Sequence, residues 1–314
     1  MNLPKYHGII PPMVTPLRGR DSLDEAGLER LIEHILAGGV HGLFLLGTTG
    51  EGPSLSYRLR KELIERTCRQ VNGRVPVLVC ITDTAFQESL NVARFSADAG
   101  AAAVVVAPPY YLPAGQAELQ EYLNHLVPAL PLPVFLYNMP SLTQVSYETE
   151  IIRSAMDDPR IIGIKDSSGN MTYFHRVAEL LMHRPDWSLL IGAEELLAYA
   201  VFVGGNGGVT GGANVFPQLY VKLFEAACAG DVKLARALQA HVMAVSNLYR
   251  VGRHSSAGIK GIKCALSTLG VCDDFMAEPF QRFHKAERER VRKILDDLGS
   301  APETSCKGGV RPSY

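Results

Sequence analysis

One lysine stands out for its setting. Ile161-Ile-Gly-Ile-Lys-Asp-Ser-Ser-Gly169 is an apolar run closed by Lys165 and followed by a polar turn. Ile and Gly without a polar partner read as a buried parallel strand, and Asp-Ser-Ser-Gly as the turn into a helix, so Lys165 ends the strand. Alternation along a strand gives Lys165 the same face as Gly163 and Ile161, with Ile162 and Ile164 on the other. Glycine leaves no side chain just beneath the amine. Water solvates an ammonium poorly in such a place, and a neutral amine can attack a carbonyl, as a Schiff-base lysine must. The alternative is a lysine at the strand edge whose amine reaches into water.

Such an amine needs a scaffold that presents strand ends together. Short apolar runs ending in Gly, Pro, Thr or Asn mark strands near Gly8–Ile10, Gly42–Leu46, Val75–Ile81, Ala103–Ala107, Val134–Tyr137, Ile161–Lys165, Ser188–Ile191 and Gly207–Thr210. Amphipathic stretches separate most of them, as at Asp24–Ala37, Ser56–Val71, Ala85–Ala99, Gln116–Leu126 and Tyr147–Asp157. Strands apolar on both faces, alternating with helices, predict an α/β fold, a closed (β/α)8 TIM barrel rather than an open sheet. The barrel should occupy residues 1–228, followed by a C-terminal helical appendage over 229–298 with helices at Asp231–Val251, Ala257–Leu269 and Pro279–Leu298. Residues 299–314 have little to bury and read as a disordered tail. In a barrel the C-terminal strand ends form the active face. That face would collect Gly47-Thr-Thr-Gly-Glu-Gly52, Pro108-Pro-Tyr-Tyr111, Tyr137-Asn-Met-Pro140, Lys165 and Gly192-Ala-Glu-Glu195.

Composition narrows the partners. A length of 314 residues with 47% hydrophobic content fits one large barrel or two smaller domains, and a formal charge of −1 offers no basic field for nucleic acid. No stretch approaches the roughly 18 apolar residues of a membrane span, and the first residues have no apolar signal core, so a cytoplasmic location is expected. The six cysteines form no C-x-x-C pair and have no histidine at metal-ligand spacing, so reduced thiols and no metal are expected. Gly204–Gly212 is rich in glycine but lacks the dinucleotide-binding spacing, and no other nucleotide motif appears, so no cofactor is expected.

Four motifs in order, GTTGE at 47–51, PYY at 109–111, YN-x-P at 137–140 and GIKD-SSG at 163–169, resemble the dihydrodipicolinate synthase / N-acetylneuraminate lyase family of class I, pyruvate-dependent aldolases. The likeness runs from about Gly8 to Leu298. It implies that Lys165 forms an imine with the keto carbon of pyruvate or another 2-oxo acid. The imine draws electrons from C3, so a C3–C4 bond can be made or broken. Thr48 and Thr49 resemble the pair that holds the 2-oxo acid's carboxylate, although a purely structural turn explains GTTG equally well. Tyr137 is similar to the family's proton-transfer tyrosine. Tyr111 is similar to the tyrosine lent to a neighbouring subunit's site, and a one-residue slip would give that part to Tyr110. The resemblance therefore implies a homo-oligomer, at least a dimer and in most relatives a tetramer, a dimer of dimers.

The second substrate is where the chain departs from the founding members. Dihydrodipicolinate synthases place an arginine two residues beyond the proline of YN-x-P, and Leu142 stands there instead. The segment resembles the apolar version in sialic acid lyases and 2-keto-3-deoxy sugar acid aldolases. Gly192, Glu194 and Glu195 resemble those lyases' acceptors for sugar hydroxyls, and Ser167 matches their hydroxyl. Equally, Glu194 and Glu195 suit the N-terminus of a helix. Gly211 stands where the lyases carry a serine, which points away from sialic acid itself. The expectation is a lyase acting on a 2-oxo-3-deoxy sugar acid or a sialic-acid-like relative, with pyruvate and an aldehyde as its partners. The alternatives are a dihydrodipicolinate synthase, a keto-deoxy sugar acid dehydratase, and a 2-oxo acid sensor without turnover.

Overall fold

The computed structural model describes residues 3–300. Its strands are β1 (Gly8–Ile9), β2 (Leu17–Gly19), β3 (Ser22–Leu23), β4 (Leu43–Leu45), β5 (Val77–Cys80), β6 (Ala103–Val106), β7 (Val134–Asn138), β8 (Ile161–Asp166), β9 (Ser188–Ile191) and β10 (Gly207–Gly208). Eight of them pair in the order β1-β10-β9-β8-β7-β6-β5-β4, every pair parallel. The ring closes where the Phe44 N–H donates to the Pro11 carbonyl and the Met13 N–H to the Phe44 carbonyl, a parallel bridge just beyond β1. This is the expected (β/α)8 barrel. The antiparallel hairpin β2–β3 was not legible in the sequence, because strands of three and two residues carry too little alternation to register.

Side-chain parity divides the core in two. Phe44, Leu78, Val105, Phe135, Tyr137 and Leu190 fill the barrel interior. Their strand neighbours, such as Leu43, Val79, Val104, Leu136 and Leu189, pack outward against the helices. β8 breaks this rule once. Val134 pairs with Ile161 but Phe135 pairs with Gly163, so Ile162 is an extra residue in a bulge. Ile161 accordingly joins the outer core and Ile162 packs against the inner one, which reverses the faces expected from strict alternation. The Trp187 indole N–H donates to the Ile161 carbonyl at 2.5 Å. Gly163 and Lys165, beyond the bulge, keep the shared inward face.

The C-terminal helices Pro217–Cys228, Val232–Val245, Ala257–Thr268 and Lys285–Ser300 follow the barrel. The last begins six residues later than expected, since the segment before it is tied down as a loop. Arg282 there pairs with Asp273 and Asp274, and Phe283 is buried. The helix also runs to Ser300, two residues into the expected tail, and the rest of that tail, 301–314, lies outside the described residues. One continuous apolar core includes both barrel residues and Val242, Leu248, Ile262, Leu266 and Val291 of the C-terminal region. No described helix is long and apolar enough to cross a membrane.

Gly163 is where the barrel interior is tightest. A Cβ there would lie 2.4 Å from the Ser188 carbonyl oxygen and 2.5 Å from Cε1 of Phe135. Gly163→Ala should therefore destabilise the fold by about 2 kcal/mol, the scale of overpacking against atoms that cannot yield. Urea unfolding would measure it, and an unchanged midpoint would show that the interior has slack.

Candidate active site

Tyr137 and Lys165 are register partners on β7 and β8, so their side chains enter the barrel mouth side by side. The Lys165 amine lies 4.0 Å from the Tyr137 ring centroid and 4.8 Å from that of Phe44. Only 6% of Lys165 is exposed, so it is not an edge lysine reaching into water. Among the described residues no carboxylate pairs with it. The space beneath it is filled: the Phe135 ring occupies the room that Gly163 leaves, so the amine stands on an apolar floor.

The turn after β4 faces this pair. Thr48 Oγ1 lies 3.3 Å from the Tyr137 hydroxyl. Thr48 and Thr49 are half-buried, and neither backbone N–H donates to any acceptor among the described residues. Two free donors in one turn suit a carboxylate. Leu46 (φ 59°) and Glu51 (φ 57°) bracket the turn in the left-handed region, strain that surrounding contacts must hold. Glu51, not singled out in the sequence beyond its place in the motif, does part of that. Its carboxylate is buried against the Lys263 amine at 2.6 Å and also accepts from the Ala277 N–H. Lys263 was missed altogether, although it gives the same signal as Lys165, a lysine inside an apolar stretch (Ile262, Cys264, Ala265, Leu266).

Behind Lys165 the chain is fixed by polar contacts on the outer side. Asn138 Nδ2 donates to Asp166 Oδ1 at 2.9 Å, and the Ser168 N–H and hydroxyl donate to the same carboxylate. Burial still raises the Asp166 pKa, against the lowering effect of those bonds. The Ser167 N–H donates to the Asn138 carbonyl and the Gly192 N–H to the Asp166 carbonyl, locking the ends of β7, β8 and β9 together. Ser167 and Gly192 do meet. A Cβ on Gly192 would fall 1.9 Å from Ser167 Oγ, so the glycine makes room for the hydroxyl.

A model of the dihydrodipicolinate synthetase family matches residues 5–298. The chain belongs to that family. It is 32% identical over 305 residues to the 4-hydroxy-tetrahydrodipicolinate synthase of Methanopyrus kandleri, covering 95% of this chain and 98% of that one. The structure of dihydrodipicolinate synthase from Bacteroides thetaiotaomicron has a TM-score of 0.91 and 54% identity, covering 95% of this chain and all of the other. An E. coli K12 prophage protein of the same family, solved in complex with pyruvate, has a TM-score of 0.88 and 28% identity over 94% of this chain and 99% of its own. Members of the dihydrodipicolinate synthetase family are pyruvate-dependent carbon–carbon lyases, and this chain is an enzyme of that class.

The remaining expected residues divide. Tyr111 is 82% exposed at φ 85°, and among the described residues no hydrogen bond or ring contact joins it to Tyr137. Tyr110 is half-buried beside Asp83, where burial raises its pKa. Glu195 is exposed and free to meet a ligand. Glu194 is not. Its carboxylate is buried, with one oxygen accepting from the Tyr220 hydroxyl at 2.6 Å and the other from the Gly212 N–H at 2.9 Å. Each oxygen is directed at the protein, which leaves less of this carboxylate for the substrate hydroxyls that the resemblance implied. Both glutamates sit in a 3-10 turn, Glu194–Leu196, rather than opening an α-helix.

Burial pushes the Glu194 pKa up to about 7, against the lowering contributions of Gly212 and Tyr220. A carboxyl titrating near 4.5 unfolded and near 7 folded keeps its proton in the folded state alone between those values. Stability should then fall as pH rises from 4.5 to 7, by about 3 kcal/mol in all, and level off above. Glu194→Gln mimics the protonated form and should lose that share of the pH dependence. Urea unfolding of both proteins at pH 5 and pH 7.5 would show it; parallel changes would place the pH dependence elsewhere.

Proposed function

We propose that Lys165 captures the keto carbon of pyruvate as an imine and that the enzyme makes or breaks the C3–C4 bond of a 2-oxo acid. The observation that carries this is a buried amine with no carboxylate partner, beside a tyrosine whose hydroxyl reaches Thr48. The amine adds to the ketone, and loss of water gives the protonated imine. In cleavage, Tyr137 takes the C4 hydroxyl proton while passing its own towards the Thr48 hydroxyl, as the C3–C4 electrons move into the imine, leaving an enamine and a free aldehyde. Protonation of the enamine at C3 and hydrolysis return pyruvate and the amine. The imine is itself the electron sink, so the cycle calls for no separate cofactor. Thr48 and Thr49 receive the carboxylate through their free N–H groups.

For the other half, Leu142 supports an aldehyde without a carboxylate, as in a 2-oxo-3-deoxy sugar acid, because leucine gives an anion no bidentate partner. Ser167 beside Gly192, and the exposed Glu195, supply groups for hydroxyls. With Glu194 turned inward, this polar set is smaller than the sequence suggested. A second reading, condensation of pyruvate with aspartate semialdehyde, is favoured by the 54% identity to the Bacteroides thetaiotaomicron dihydrodipicolinate synthase. Exposed Tyr111 and Leu112 support a homo-oligomer, a dimer of dimers, in which Tyr111 completes a neighbour's site. Cysteines 68, 80, 228, 264 and 272 are unpaired, which suits a cytoplasmic enzyme.

Pyruvate with borohydride should leave a reduced adduct on Lys165 alone, read by peptide mass analysis; label on another lysine refutes the imine assignment. Tyr137→Phe should slow turnover by about 10²-fold. A kcat near that of the wild type would take Tyr137 off the proton path. In a panel of aldehydes and 2-oxo acids, cleavage of a 2-oxo-3-deoxy sugar acid supports the first reading, and a preference for aspartate semialdehyde replaces it with the second.

A further inference from the structure

We propose that the buried Glu51–Lys263 pair is a positioning device through which the C-terminal helices set the turn that receives the 2-oxo acid's carboxylate. Both side chains are fully enclosed, and Lys263 Nζ lies 2.6 Å from Glu51 Oε1 across 212 residues of sequence. Each partner is also bonded to backbone in the loop after helix Ala257–Thr268. Lys263 donates to the Phe275 carbonyl at 2.5 Å and Glu51 Oε2 accepts from the Ala277 N–H at 2.8 Å. At the other end, the Glu51 N–H donates to the Thr48 carbonyl at 3.1 Å. One peptide segment therefore joins the ion pair to Thr48, whose hydroxyl meets Tyr137. The chain just after the turn is held independently, by Arg60 donating to the Leu55 carbonyl and to Asp83. A pair wanted only for stability would be replaceable by apolar groups of similar volume. Both members of this pair make directional bonds to the same loop backbone, Phe275 and Ala277, and Glu51 carries that anchorage through its own N–H to Thr48.

The inference rests on the imine reading of Lys165 and the carboxylate reading of Thr48 and Thr49, so its test must separate the two. Borohydride trapping of pyruvate on the full-length protein gives a rate at saturation, which reports the amine, and a half-saturating concentration, which reports the carboxylate turn. Wild-type protein that fails to trap pyruvate on Lys165 refutes the imine reading itself. Given trapping, the double variant Glu51→Gln with Lys263→Met removes both charges and leaves neither one buried alone. It should fold cooperatively, trap within about twofold of the wild-type rate at saturation, and need about tenfold or more pyruvate to half-saturate, as a displaced positioning group would cause. Lys263→Arg should recover part of that loss. A double variant that does not fold, or one that half-saturates at the wild-type concentration, overturns the proposal. In the wild-type protein, forming the reduced adduct should slow amide exchange in 273–277 as well as in 47–52; unchanged exchange in 273–277 also overturns it.

Discussion

The arrangement depends on a lysine amine kept out of water without a counter-charge. An ammonium that loses its hydration is normally repaid by a carboxylate, as Lys263 is by Glu51. Lys165 has only the faces of Tyr137 and Phe44. A ring face returns about 0.5–2 kcal/mol to a cation, far less than a buried ion pair's attraction. Two lysines of one chain, both enclosed, thus serve opposite ends. The paired one is a fixed charge that joins two segments, and the unpaired one is the amine we propose as the nucleophile.

What keeps Lys165 in that position is register. A one-residue slip sends every side chain of a strand to the other face, and β8 contains such a slip, taken up by the bulge at Ile162. Residues N-terminal to the bulge follow one parity and those after it the other. Gly163 then opens the interior for the Phe135 ring, and Lys165 and Tyr137 emerge in the same layer. The outer contacts of Asp166 with Asn138 and Ser168 hold this end of the strand from behind.

Much of this was legible in the sequence because it is local. Runs such as Val134–Tyr137 and Ile161–Lys165 announce buried strands, and their order and spacing announce a barrel. The pairing of Lys165 with Gly163 on one face follows from alternation within two residues. The bulge was not legible, since it belongs to a pair of strands and only its partner, β7, reveals it. The pairing of Glu51 with Lys263 was hidden for the same reason, since they stand 212 positions apart. Glu194 was read as a group for hydroxyls from its likeness to the lyases' motif, and its burial was not legible. The groups that bond to its carboxylate, Tyr220 and the Gly212 N–H, arrive from later elements.

Sorting the polar groups of the mouth by whether the protein already engages them separates frame from reagents. Glu51, Asn138, Asp166 and Glu194 have their hydrogen-bonding capacity directed at other parts of the chain. The Lys165 amine, the Thr48 and Thr49 N–H groups and the Ser167 hydroxyl have no acceptor or donor among the described residues. Thr48, Thr49 and Ser167 are half-buried and Lys165 is buried, so these groups stand together without partners among the described residues. The unengaged set contains an amine, two N–H donors and a hydroxyl, the groups that the proposed reaction of a 2-oxo acid would use. Each carboxylate in the frame is instead bonded to other parts of the chain, Glu51 to Lys263 and Ala277, Asp166 to Asn138 and Ser168, and Glu194 to Tyr220 and Gly212.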